Sequence, residues 1–469
     1  MPKDYLIAGV LLADPDSPPT RFPQLTNILV RDGRIAAIGS DVRAPDAEVI
    51  EGNGAIACAG MVDSHRHIWQ TGIRGVAADW SLADYVREIR VGYAAPYSPG
   101  HVYLSNYVGA LEALDTGVTA VCDFSHIMNS PAHTEAAIQG LTDAGIRGVF
   151  CYGFYDVPTR SRAFASHANR VRHADEVARV FRTTAGPLLD FGLALTEFAL
   201  VDGEQTDDEI AIARRHDALI TLHIGGYSYP RGISYLNGRG KLGPDMLHVH
   251  ANWSTMEELE LLVNAGGSLS ITPETEMQMG MGLPMTNKLI EVGGMPSFGV
   301  DIVSNNSGDM LTQLRLGLQM ARALDNQKII ETGKAPDKVT LSVRDALRFG
   351  TEGGARAIRK QGEIGRLAKG ALADIVLFSG RGLHMAPMTD PVGMLILQSR
   401  VSDVELVMVE GRIVKRDGRL QGVDYDALAQ KLNDSFREIA DHIETARDST
   451  TQSAARWLHT LNETTRRQA

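Results

Sequence analysis

The chain is poor in cysteine. Its three, Cys58, Cys122 and Cys151, lie far apart in apolar runs, which excludes a disulfide framework and reads as buried free thiols in a reducing cytoplasm. Long apolar runs are missing too. Nothing approaches the roughly 18 consecutive apolar residues of a bilayer span, so no membrane segment is expected. Positive charge is in deficit, with 46 Lys and Arg against 57 Asp and Glu and a formal net charge of -11. Such a surface repels nucleic acid and anionic lipid, and no basic run makes a local exception. Met1 to Val10 has no cationic stretch followed by an apolar one, so no secretory signal is expected. Lysine is absent between Lys3 and Lys241. Internal repeats and low-complexity segments are lacking as well. What is present is globular: 469 residues, 44% hydrophobic and 22% charged, enough for one large domain and a smaller companion.

From Gly60 onward, short and continuously apolar runs alternate with helical spacing. Gly60–Ser64, Val118–Asp123, Gly148–Tyr152 and Leu189–Leu195 read as parallel strands covered on both faces. Leu219–Leu222, Met246–Val249, Leu269–Thr272 and Ser297–Val300 read the same way. Between them Val102–Leu114, Thr134–Ala144, Glu176–Thr183, Asp207–Arg215, Thr255–Ala265 and Met310–Leu324 carry helical spacing. Eight strands separated by helices predict an α/β fold, a closed (β/α)8 TIM-like barrel rather than an open sheet. At the ends, Tyr5–Leu12, Ile28–Arg31, Arg34–Ile38, Ala373–Phe378, Asp403–Val409 and Arg412–Lys415 read as short strands. Turns are expected at Asp32–Gly33, Glu410–Gly411 and Asp417–Gly418. The expected division is a composite β-sandwich from 1–57 and 368–422, the barrel at 58–367, and a charged helical tail at 423–469. That tail would pack across the barrel or against another subunit of a homo-oligomer.

His65 and His67 stand two apart at the end of the first barrel strand, so both side chains point to one face. His223 follows the fifth strand, His250 the sixth and Asp301 the eighth. Barrel strands end around one mouth, so four imidazoles and a carboxylate converge there. Such a donor set suits Zn²⁺, Fe²⁺, Co²⁺ or Mn²⁺, and without an ion each buried polar group would need another partner. An Asp at a strand end can instead cap a helix, which is the competing role for Asp301.

Gly60-Met61-Val62-Asp63-Ser64-His65-Arg66-His67 resembles the first-strand signature of the amidohydrolase superfamily. Ile68-Trp69-Gln70-Thr71-Gly72-Ile73-Arg74-Gly75 is similar to its branch of cytosine-deaminase-like and triazine hydrolases. Gly362 to Leu367 and Gly370 to Leu377 resemble the segment that returns such chains to their β-sandwich, and the likeness runs from about Leu6 to about Leu420. The resemblance implies metal ligation by His65, His67, His223 and Asp301, with His250 beside the attacking water or the substrate. Two-metal members bridge their ions with a modified lysine on the fourth strand. The lysine gap removes that bridge, Glu197 is the sole well-placed carboxylate to replace it, and one divalent ion, zinc by preference, is expected.

The expected chemistry is hydrolytic attack on an sp² carbon bearing a nitrogen leaving group. Asp301 takes a proton from water and passes it on, and His250 donates to the atom gaining negative charge. Ring deaminases of this branch carry His-x-x-Glu at the fifth strand; here His223-Ile224-Gly225-Gly226 puts glycine where that acid would stand. Glu274 and Glu276 are candidates to replace it or are solvated loop carboxylates. His126 would touch substrate or support the ligands, and Gln70 would touch substrate or brace its loop. Met277, Met279, Met281 and Met285 either line an apolar pocket or fill core. Gly225–Gly240, with Tyr227 and Tyr229, has the composition of a lid. The leading expectation is a cytoplasmic, metal-dependent hydrolase of a non-peptide C–N bond (amide, urea, carbamate or amidine) in a small molecule. Deamination of an N-heterocycle is the runner-up. A metal-free scaffold would have lost ligands, whereas this sequence keeps every expected one.

Overall fold

The computed structural model describes residues 3–157, 163–226 and 231–443. In chain order the strands are β1 (Tyr5–Leu12), β2 (Thr26–Arg31), β3 (Arg34–Gly39), β4 (Glu48–Glu51), β5 (Ile56–Ala59) and β6 (Met61–Arg66). Then come β7 (Val118–Ser125), β8 (Arg147–Gly153), β9 (Leu189–Ala194), β10 (Leu219–Ile224), β11 (Met246–His250), β12 (Ser268–Ile271) and β13 (Pro296–Phe298). The last are β14 (Ile375–Phe378), β15 (Val404–Val409), β16 (Arg412–Arg416) and β17 (Arg419–Leu420). Contacts divide the chain into two compact units, Met1–Ser64 with Glu112–Ala120 and Asp309–Val423, and His65–Leu111 with Val121–Gly308 and Asp424–Ala469.

The first unit holds a mostly antiparallel sheet in the order β17-β16-β15-β14-β5-β1-β2-β3, with β4 beside β1. Ile7, Val10, Ile28, Val30, Ile35, Leu377 and Met408 form its buried face. Its hairpins turn at Asp32–Gly33, Glu410–Gly411 and Asp417–Gly418, where both residues of each pair have positive φ. Two-residue turns of that kind match the right-handed twist of the flanking strands, and Gly tolerates them without strain.

Strands β6 to β13 run in sequential order as the sheet of a (β/α)8 TIM-like barrel, and every pairing from β8 to β13 is parallel. β7 and β8 are buried at every position, as expected of strands covered on both faces. Closure runs through site residues. The Asp301 N–H donates to the His65 carbonyl at 2.9 Å, and the His67 N–H donates to the Asp301 carbonyl at 2.8 Å. Gly299 permits this approach, because a Cβ there would stand 2.6 Å from the His65 carbonyl oxygen. That tight passage also ends the last strand at Phe298, short of the expected Val300.

The expected helices form, several longer than the sequence suggested. His167–Ala185 starts nine residues before its apolar spacing does, because Ser166 caps a first turn rich in His and Arg. Residues 68–93, unassigned from sequence, form a tight turn at Ile68–Ile73 and a helix from Leu82 that widens to a π-helical stretch at Val86–Tyr93. The tail is helical over 425–443, where Glu438 meets His101 at 3.0 Å; the remainder of the expected tail lies outside the described residues. Among the described residues no helix is long and apolar enough to cross a membrane, and Cys58, Cys122 and Cys151 are free and buried.

Candidate metal centre

The strand ends bring His65, His67, His223, His250 and Asp301 to one place. One ligand atom each from His65, His67 and His223 lie within 4.8 Å of one another, and so do those of His65, His250 and Asp301. His65 Nε2 stands 3.3 Å and His67 Nε2 3.4 Å from the same Asp301 Oδ1. His250 Nε2 is 3.9 Å from the other carboxylate oxygen. Two of these residues are held in left-handed backbone, His250 at φ 73° and Asp301 at φ 67°. Such a conformation costs about 1–3 kcal/mol for a residue with a side chain and persists only where the surroundings impose it. For Asp301 the barrel-closing bonds do so. It caps no helix: the following one, Met310–Ile330, is capped by Asp309.

The ring orientations test whether an ion fits. His67 Nδ1 lies 2.7 Å from the Phe124 carbonyl, to which it donates, leaving the Nε2 lone pair turned inward. His223 Nδ1 is 3.3 Å from Glu197 Oε1, with the same consequence. Burial drives the His65 pKa down to about 4, and also lowers those of His67 and His223, so all three are neutral at pH 7. Burial alone would raise the Asp301 carboxyl, but bonding to His65 and the neighbouring imidazoles hold it well below the usual carboxylate range. The His67 Nε2 lone pair and the Asp301 carboxylate, face to face at 3.4 Å, repel one another. A divalent cation turns that repulsion into ligation, and the donor set is one that such an ion takes. The residues fit.

The cluster lies at a pocket with a cavity volume of about 90 Å³. His67, His223, His250 and Asp301 line it together with Arg90, Glu197, Tyr85, Gly226, Met279 and Met281. Residues 56–414 match the amidohydrolase family. The chain belongs to that family. It is a hydrolase that acts on a carbon–nitrogen bond of a small molecule. It is 25% identical over 407 residues to 5'-deoxyadenosine deaminase of Methanothermobacter thermautotrophicus, covering 84% of this chain and 90% of that protein. A zinc-bound adenosine deaminase from Xanthomonas campestris superposes with a TM-score of 0.80 at 22% identity, over 95% of this chain and 99% of that one. An atrazine chlorohydrolase from Arthrobacter aurescens, complexed with zinc and atraton, does so at 0.79 and 20% identity, over 92% and 100%.

In this amidohydrolase several residues for which the sequence left substrate contact or a supporting role open do not line the pocket. Glu276 is fully buried; its Oε1 accepts from the Thr272 N–H at 2.8 Å and faces His250 Nδ1 at 3.4 Å, while Oε2 accepts from Asn252 at 3.1 Å. The turn begun by Pro273 points the carboxylate at the back of the imidazole rather than into the pocket. Glu274 accepts from Ser307 at 3.1 Å and is not a lining residue. Gln70 is buried between the Tyr85 and Ser304 hydroxyls, each at 2.7 Å, and braces its loop. His126 stacks on His67 at 3.9 Å and accepts from Trp69 Nε1 at 3.2 Å, so it packs behind that ring. Glu197 Oε1 meets both His223 and Arg90, at 3.3 and 3.2 Å, while its Oε2 is enclosed and has no hydrogen-bond partner among the described residues. Met279 and Met281 line the pocket, while Met285 is core. Of the expected lid, Gly232–Gly238 is helical; Tyr227 and Tyr229 lie outside the described residues.

Burial opposes protonation of His250, yet the bond to Glu276 and the charges of Asp301 and Glu276 raise its pKa. Glu276 thereby favours the protonated form of His250, the form that donates from both ring nitrogens. Glu276→Gln keeps the bond to Thr272 but loses the charge, and the expected result is kcat about 10–100-fold lower with KM and metal content unchanged. A purely structural role would lower Tm and leave kcat alone, so steady-state kinetics beside a melting curve checks this.

Proposed function

We propose that this amidohydrolase cleaves an amide, urea, carbamate or amidine C–N bond, using one divalent ion held by His65, His67, His223 and Asp301. Zinc is the proposed ion, supported by the mixed N/O donor set and by the zinc in both structural neighbours. When bound, such an ion lowers the pKa of water from 15.7 to about 7 and polarises the attacked group. Asp301, ionised at neutral pH, accepts the proton of the attacking water and passes it to the leaving nitrogen. His250, raised in pKa and facing the pocket, donates a hydrogen bond to the oxygen that gains negative charge. The apolar wall of Leu82, Val86, Met279, Met281 and Ile302 limits water around the reacting group.

The single observation that carries the reading is the convergence of four imidazoles and one carboxylate, with His67, His223, His250 and Asp301 lining one pocket. Turnover by metal-loaded protein on a panel of C–N compounds tests it, with product analysis for carboxylate, carbamate or ammonia. Absence of turnover across the panel contradicts it.

Deamination of an N-heterocycle is the second reading, favoured by the adenosine-class deaminases among the relatives. Gly226 weighs against it. It lines the pocket without supplying the acid that would protonate a ring nitrogen. A Cβ built there meets no heavy atom within 4 Å, and its φ is not left-handed. Gly226→Glu should therefore be tolerated, and it is expected to raise kcat/KM for an aminopyrimidine by about 10²-fold or more, the worth of a placed general acid. No gain on that assay would mean that another group already supplies the proton.

A further inference from the structure

Arg90 is a cation in the pocket with donors to spare. It projects from the Val86–Tyr93 stretch, is buried, and lies 4.1 Å above the Tyr155 ring. Nη1 donates to Glu197 Oε1 at 3.2 Å, and this is the one hydrogen bond Arg90 makes among the described residues. A guanidinium carries five N–H donors. None of its nitrogens is among the enclosed polar atoms that lack a partner, so the unused donors border open space; Arg90 lines two such spaces, this pocket and a second one walled by Phe154, Asp156, Arg170 and Gln205.

Three features of the surroundings suit these donors to a ligand. Glu197 and the Tyr155 ring fix the plane of the fork from two sides, and Tyr155 is itself tied to the Leu195 carbonyl at 3.1 Å. Glu197 also balances the charge, so a neutral acceptor can be held without stranding a lone cation. Arg90 shares the pocket wall with His223, His250 and Asp301, and Gly226, on the same wall, offers no side-chain partner. A guanidinium stays charged in proteins and gives no proton away, but it recognises planar oxygen acceptors through paired N–H bonds.

We propose that Arg90 determines the specificity of this site, its free N–H fork binding an acceptor oxygen, carbonyl or carboxylate, that the substrate carries beside the scissile C–N bond. The proposal rests on the hydrolase reading above and adds to it the class of substrate. A compound whose only polar edge is a donor leaves the fork unpaired and is selected against.

Binding measured by calorimetry on the metal-loaded protein tests this with two matched pairs of probes. Cytosine against 4-aminopyrimidine isolates a ring carbonyl; N-carbamoylglycine against propylurea isolates a carboxylate. The wild type is expected to prefer the oxygen-bearing member of one pair by about tenfold or more, and the pair concerned tells carbonyl from carboxylate. Arg90→Met should bring that ratio to about one with metal content unchanged. Arg90→Lys keeps a cation beside Glu197, guarding against misfolding, but has no planar fork, and it too should lose most of the preference. Equal affinity within both pairs in the wild type, failure to bind any oxygen-bearing probe, or a preference retained by either variant overturns the proposal. The readout is affinity, so a chain that proved to turn over no C–N compound would fail the hydrolase reading in a separate assay.

Discussion

Asp301→Asn is expected to lower kcat by about 10³-fold or more while the circular dichroism spectrum and the unfolding transition stay those of the wild type. The substitution is nearly isosteric. It leaves the backbone bonds from Asp301 to His65 and His67, which close the barrel, where they are. What it removes is the negative charge facing three imidazoles, and with it both a proton acceptor and an anionic ligand. Kinetics and metal content together separate the two roles: loss of rate with the ion retained assigns it to proton transfer, and loss of both assigns it to ligation. A variant turning over at a near-normal rate refutes the role given to this carboxylate.

Removing the ion should be as severe. Exhaustive chelation is expected to abolish turnover, and one equivalent of Zn²⁺, Co²⁺ or Mn²⁺ to restore it. Stability should follow. A ligand that binds only the folded chain adds about 2.7 kcal/mol at a hundred times its Kd, so the loaded protein should melt several degrees above the stripped one. In the stripped protein the His67 Nε2 lone pair faces the Asp301 carboxylate, so His67→Ala should narrow the gap between the two melting temperatures. Activity untouched by chelation, with metal shown to be gone, would contradict the mechanism.

The barrel was legible because its signal is periodic. β10, expected over Leu219–Leu222, runs to Ile224, and β11, expected to Val249, runs one residue on to His250. The convergence of the four imidazoles and Asp301 followed from the strand ends, since parallel strands of a barrel deliver their C-terminal residues to one mouth. Side-chain direction in the connecting segments was not legible. Glu276 lies where the sequence put it, just past β12, but a helical turn decides that its carboxylate backs His250. Arg90 and Tyr85 were missed for a related reason. They sit on an irregular helix between β6 and Pro99–Asp115, and a buried arginine on such a segment reads in sequence like any solvated one. The spacing of Arg90 from Asp84 or Glu88 gave no hint that its partner would be Glu197, more than a hundred positions away.

The most direct test of the central claim is a crystal structure of protein purified without chelator, with anomalous data collected on both sides of the metal absorption edge. The account predicts one ion per chain, about 2.0–2.2 Å from nitrogens of His65, His67 and His223 and an oxygen of Asp301. A second ion bridged by Glu197, or fully loaded protein with its ion anywhere else, would contradict it.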